Sequence, residues 1–314
     1  MIQLNGKSYE VVEAHAHVWN QFKGERFGDT PVETTGSGRV RQNGKEFQFL
    51  PPEYQDYIVR LEVLQAYMEI TGVDRAVILQ NPCYGDQREY VRDIVQKYPK
   101  TFCGFGMLDP RNIGSVSEQI DILMRDFNCI GVKMEIPDVP FIMDAPEYDF
   151  MWKKLLENNA VAAIDLGWGD GPFDFNIDRL THVVKKYPEL KLILCHLGVS
   201  RLWDLKQTAP FPHLLKTLSL LDINKDNLYF DIAGMPVFDH NAEYPFDRAR
   251  EILKVVKDTV GMDRIMWGSD FPTVMLQCTY PQSLQYITNH CGFLTGSDLE
   301  KLLGTNAKHF LFNE

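Results

Sequence analysis

A chain of 314 residues with 45% hydrophobic content is long enough for one large domain or two small ones, and it carries the material for a sizeable core. Its formal net charge of −11 weighs against a nucleic-acid groove or an anionic membrane surface as a partner. No apolar run approaches the roughly 20 residues of a membrane span, and MIQLNGKSYE lacks the basic and apolar segments of a secretion signal, so the expected location is the cytoplasm.

The chain opens on a predicted hairpin, with IQL and SYEVV flanking the Asn5-Gly6 turn signal. Its second arm is expected to run into VVEAHAH, the first core strand. A polar, Gly-rich stretch from about 20 to 52 follows, too long for an ordinary connection and read as a functional insertion. Inside it, Asn43-Gly44 between RVRQ and KEFQF predicts a second hairpin. Helical periodicity at 55–71 then precedes the apolar run 75–80. The pattern repeats with helices near 86–98, 114–127, 147–159, 176–187, 211–221 and 245–259. The strands after them fall at 102–108, 130–134, 161–167, 190–196, 228–233 and 264–270. Their near-continuous apolar character is that of parallel strands buried on both faces. Eight such units predict an α/β fold, a single (β/α)8 TIM barrel over residues 1–314, with the N-terminal hairpin, the insertion after strand 1 and a C-terminal helical extension. The six cysteines are scattered without a CxxC pair and are expected to be free thiols.

In such a barrel, polar residues at the strand C-termini face the active site. Here strand 1 ends in Glu13-Ala14-His15-Ala16-His17. Strand 4 carries Lys133 and Glu135. Strands 5 to 8 end at Asp165, His196, Asp231 and Asp270. His15 and His17 are two apart, so alternation puts both on one face, where two imidazoles can chelate a divalent cation. Asp270, directly after an apolar strand, is costly to bury unless paired with a cation or a metal. His196 closes LILCH, and Asp165 could be a ligand, a substrate contact or a cap. For substrate binding, Trp19 and Trp168 sit just past strand ends. Lys133 suits a substrate carboxylate or a salt bridge to Glu135. In the insertion, Arg39 and Arg41, with Arg26 and Lys45, could clamp an anion. His240, in the loop after strand 7, is read as a surface residue.

The segments AHAH, YPELKLILCHLG, DRIMWGSDFP and LLGTNAKHFL, in that order over nearly the whole chain, resemble the amidohydrolase-related branch of the amidohydrolase superfamily. That branch includes aminocarboxymuconate-semialdehyde and γ-resorcylate decarboxylases, lactone hydrolases and C–C hydrolases. The resemblance implies one divalent metal, Zn or Mn, on His15 and His17, with Asp270 as ligand or base and His196 as the acid/base beside it. Strand 5 departs from the pattern, since the decarboxylases present a ligand histidine where this chain has Asp165. Either Asp165 coordinates the cation there, or that position is filled by water or by His196. The favoured expectation is a metal-dependent hydrolase of a small oxygenated cyclic acid, lactone or diketone. The alternatives are non-oxidative decarboxylation of a hydroxylated aromatic acid and a non-catalytic ligand-binding barrel. The expected partner is a small molecule, not nucleic acid or membrane, and a homo-oligomer is compatible with the sequence.

Overall fold

The computed structural model describes residues 1–23, 32–42, 44–167, 176–198, 211–238 and 242–314. Strands β1 (Ile2–Leu4) and β2 (Lys7–Tyr9) form the expected hairpin across Asn5-Gly6. Eight parallel strands follow, each with a helix after it. They are β3 (Val12–Ala16), β7 (Arg75–Ile78), β8 (Phe102–Met107), β9 (Gly131–Glu135), β10 (Val161–Asp165), β11 (Lys191–Leu194), β12 (Leu228–Asp231) and β13 (Ile265–Met266). The helices between them are α1 (Leu61–Thr71), α2 (Arg88–Lys97), α3 (Val116–Arg125), α4 (Asp149–Glu157), α5 (Ile177–Lys186), α6 (Pro212–Leu218) and α7 (Asp247–Val260), and α8 (Tyr280–His290) follows the last strand.

The sheet closes between β13 and β3. Ala14 N donates to Trp267 O at 3.0 Å, Asp270 N to His15 O at 2.9 Å and His17 N to Phe271 O at 2.8 Å. This is a (β/α)8 barrel. Alternate residues point inward, among them Val12, Val77, Phe105, Ala163, Ile193 and Tyr229, and build one inner cluster. Their strand neighbours, such as Ile78, Val132 and Leu192, pack outward against the helices. The C-terminal extension plugs the inner cluster with Phe310 and Leu311, and the Phe310 ring stacks 4.2 Å from Tyr229.

Strands end earlier than their apolar runs suggest. The run 264–270 contributes only Ile265–Met266 to the ladder, and beyond it Trp267, Asp270 and Phe271 bond the first strand. The run 190–196 stops at Leu194, where His196 and Leu197 enter the left-handed region at φ 55° and 57°. The helix expected from 55 starts at Leu61, after a turn in which Tyr57 has φ 55°.

The insertion folds as an antiparallel sheet of β4 (Glu33–Gly36), β5 (Arg39–Gln42) and β6 (Lys45–Gln48). The second predicted hairpin is β5–β6, and β4 adds an edge the sequence reading lacked. Tyr57 fastens the sheet, its hydroxyl donating to Arg39 O at 2.6 Å and accepting from Gly36 N at 2.7 Å. The cysteines are free. Among the described residues no helix is long and apolar enough to cross a membrane.

Close strand approach sets one sharp requirement. At Gly131, beside Val161 in the β9–β10 ladder, an added Cβ would lie 2.0 Å from Val161 O. A backbone oxygen cannot swing aside, so Gly131→Ala should cost at least about 1–3 kcal/mol and lower Tm by roughly 2–10 °C. Thermal melting checks it, and an unchanged Tm would contradict this packing.

Candidate active site

Simple alternation does not by itself aim the two histidines. Val12 and Ala14 already point inward, so strict alternation would turn His15 and His17 outward. A β-bulge changes the phase. From Glu13 to Ala16 the first strand takes three steps where its neighbour takes two, from Ala76 to Ile78. Bulges re-aim side chains next to active sites. Here the bulge brings both imidazoles to the barrel mouth and leaves Glu13 facing the seam, where its carboxyl accepts from His15 N, Ser269 N and Tyr280 Oη at 3.1, 2.7 and 3.1 Å. Gly268 makes room for His15, since a Cβ there would lie 2.8 Å from the His15 Cβ.

The partner of each Nδ1 sets its proton. His17 Nδ1 faces the carbonyl of Leu79 at 3.0 Å. A carbonyl only accepts, so Nδ1 carries the hydrogen. His15 Nδ1 donates likewise to Asp231 Oδ2 at 2.9 Å. In the neutral rings both Nε2 atoms then present lone pairs. They lie 3.1 Å apart, with Asp270 Oδ1 at 3.3 Å from His17 Nε2 and 3.8 Å from His15 Nε2. Three electron-rich atoms thus face one another, all on buried side chains. Donors bound at about 2.0–2.2 Å in a tetrahedral shell are separated by roughly 3.3–3.6 Å. The spacing and the N, N, O donor set therefore fit a divalent cation, with the Nδ1 bonds as the supports that fix such ligands. His15, His196 and Asp270 also offer one ligand atom each within 4.8 Å of one another.

Asp231 organises the site beyond what its position at a strand end conveyed. Besides holding His15, it accepts through Oδ1 from His196 N at 2.8 Å and Ala233 N at 3.1 Å. Burial pushes its pKa up, but the hydrogen bonds from His15 and His196 and the charge of His196 more than offset this and keep it below the usual carboxylate range. For His15, burial dominates and lowers the imidazole to about 4, so it is neutral, as a ligand requires. His196 is the opposite case. Burial works against its charge, but Asp165, Asp231 and Asp270 raise it to about 10. Its Nδ1 donates to Ala233 O at 2.8 Å, and its Nε2 lies 3.5 Å from Asp165 Oδ2. His196 and Asp270 both hold positive φ, 55° and 64°, a strained backbone of the kind that gathers at functional positions.

Asp165 is held on its other side. Its Oδ1 accepts from Gly167 N at 2.8 Å, and Oδ2 lies 3.8 Å from Lys133 Nζ. Lys133 Nζ is 3.1 Å from Glu135 Oε2, and the lysine and both acids are buried. Burial and the Asp165 charge push the Glu135 carboxyl well above its ordinary pKa, against the pull of Lys133.

The remaining candidates lie elsewhere. Trp19 is buried, donates to Tyr57 O at 2.6 Å and stacks at 3.9 Å on Tyr84, whose ring meets His17 edge-on. Tyr84, which the sequence reading passed over, covers one face of the Trp19 ring. Arg39 pairs with Glu46, and Arg41 pairs with Glu33 and Glu46, on the exposed side of the inserted sheet. Trp168, Arg26 and His240 lie outside the described residues.

The chain matches the family profile described as Amidohydrolase over residues 12–312, and it belongs to that family. It is similar to the L-fucono-1,5-lactonase of Burkholderia ambifaria, with 22% identity over 279 residues, covering 83% of this chain and 89% of the relative. Among solved structures it is similar to an amidohydrolase from Burkholderia multivorans with bound zinc, at a TM-score of 0.70 and 15% identity, covering 96% of this chain and 98% of that one. It is also similar to the 2,6-dihydroxybenzoate decarboxylase from Rhizobium, at 0.66 and 15% identity, covering 98% and 100%. The chain is thus an enzyme of the amidohydrolase family, in which hydrolases and lyases share this barrel.

Asp231→Asn tests the support of His15. The amide would offer a donor or a weaker acceptor to Nδ1, releasing the ring from its tautomer. Divalent-metal affinity should fall about 10- to 100-fold, measured by titrating Zn²⁺ against a competing chelator. Unchanged affinity would show that Asp231 does not set the ligand.

Proposed function

We propose that this member of the amidohydrolase family is a metal-dependent hydrolase that opens a small oxygenated ring, a lactone foremost, with one divalent ion, Zn or Mn, held by His15, His17 and Asp270. The observation that carries the reading is the set of three facing donor atoms, 3.1 to 3.8 Å apart, with the Nδ1 of each imidazole engaged by an acceptor. A divalent ion bound there activates water and polarises a carbonyl.

The chain's own residues do the rest. Asp270 is ionised: burial raises its pKa, but the contact with His17 and the charge of His196 lower it below the ordinary value. It is the base that takes a proton from the attacking water. His196, protonated and pinned through Nδ1, aims Nε2–H at the negative charge that develops on the substrate oxygen. Asp165 keeps that proton in place by its charge and is a partner of His196 more than a ligand. Lys133 in turn neutralises Asp165.

A lactone also agrees with the printed activity of the Burkholderia ambifaria relative. Decarboxylation draws support from one observation, a buried His196 held protonated at about 10, which is a proton donor for carbon as well as for oxygen. It lacks the strand-5 histidine, whose place Asp165 takes beside Lys133.

L-Fucono-1,5-lactone and a hydroxybenzoate panel separate the readings. Acid release from the lactone without CO₂ from any benzoate is the expected result, and stoichiometric CO₂ release would overturn it. Asp270→Asn should lower kcat by at least about 100-fold while the circular dichroism stays unchanged. Retention of more than about a tenth of kcat would remove Asp270 from the base role.

A further inference from the structure

Strand β9 carries a feature the proposed reaction leaves unused. Glu135 is 1% exposed, and its Oε1 has no hydrogen-bond partner. Its other oxygen faces Lys133 Nζ. A buried carboxyl oxygen left without a donor is costly and rare. Glu135 points inward with Lys133, because the residues between and before them, Met134 and Val132, pack in the outer cluster. It stands beside Asp165 in the ladder. Asp165 is 3.5 Å from His196, whose ring is 4.7 Å from that of His15. Glu135 therefore occupies the same wall of the mouth as the reacting groups, on the side away from Asp270.

We propose that Glu135, braced by Lys133, is a specificity-determining residue that binds a ring hydroxyl of an uncharged, polyhydroxylated substrate. This deepens the hydrolase reading and rests on it for the reaction, though not for the binding. A hydroxyl both donates and accepts, so it satisfies Oε1 in either protonation state of the carboxyl. A substrate carboxylate cannot donate, so it satisfies Oε1 only when Glu135 is protonated, and it would meet the Asp165 charge beside it. The ammonium available to hold such an anion already lies between Glu135 and Asp165, at 3.1 and 3.8 Å. Arg39 and Arg41 are engaged by glutamates of their own sheet.

The test compares L-fucono-1,5-lactone with δ-valerolactone, which has no hydroxyl groups. In Glu135→Leu, which removes both oxygens and leaves Lys133 beside Asp165, the ratio of their kcat/KM values should fall about ten- to hundredfold. A purely structural role would lower both rates and leave the ratio unchanged, which would overturn the proposal. Glu135→Ala removes the same oxygens with less bulk and keeps Lys133 beside Asp165, and it should show the same loss of ratio if Glu135→Leu does not fold. If the wild type opens neither lactone, the hydrolase reading fails, and calorimetry with 1,5-anhydroalditols still reads the hydroxyl site. Weaker binding by Glu135→Leu than by wild type supports it there; equal binding, or none, overturns it.

Discussion

Everything at the mouth depends on the seam that closes the barrel between its first and last strands. Three backbone hydrogen bonds, from Ala14 to Trp267, Asp270 to His15 and His17 to Phe271, join the strands at the level of the chemistry. The bonds that shut the sheet therefore also fix the distance between the histidine pair and the carboxylate. Glu13 reinforces the seam from outside by accepting from backbone on both strands. Held at His15 O on one side, Asp270 can keep a left-handed backbone that a free turn would relax. A closed barrel and a competent site are, in this molecule, one requirement.

From the seam the electrostatics spread outward as an alternation of charge. Asp231 faces His15 and His196, His196 faces Asp165, Asp165 faces Lys133, and Lys133 faces Glu135. Each buried charge has an opposite neighbour, as burial demands. The alternation divides the two flanking histidines by function: burial keeps His15 neutral and fit to ligate, while three carboxylates keep His196 protonated. The order ends at Glu135 Oε1, where a partner is missing.

Much of this was legible in the residues. The eight apolar runs and the turn signals identified the barrel and both hairpins, because burial on two faces and Asn-Gly turns leave local marks. The strand-end positions of His15, His17, His196 and Asp270 were readable for the same reason. What local pattern could not show depends on the third dimension. The bulge that turns His15 inward leaves no mark in VEAHA. The double duty of Asp231, the cover of Tyr84 on Trp19 and the pairing of Arg41 with Glu33 join residues far apart in the chain or across a sheet whose edge strand was unforeseen. Strand 8 looked long because its residues are apolar, yet most of them serve the seam.

The central claim is that the facing atoms of His15, His17 and Asp270 hold a divalent ion on which turnover depends. The direct test follows metal content and hydrolysis of L-fucono-1,5-lactone together, as the protein is stripped with a chelator and titrated back with Zn²⁺ or Mn²⁺. Activity should vanish with the metal and return in proportion, saturating at about one ion per chain, the capacity of a single three-donor site. Full activity in metal-stripped protein, or saturation without any gain in activity, would contradict the account.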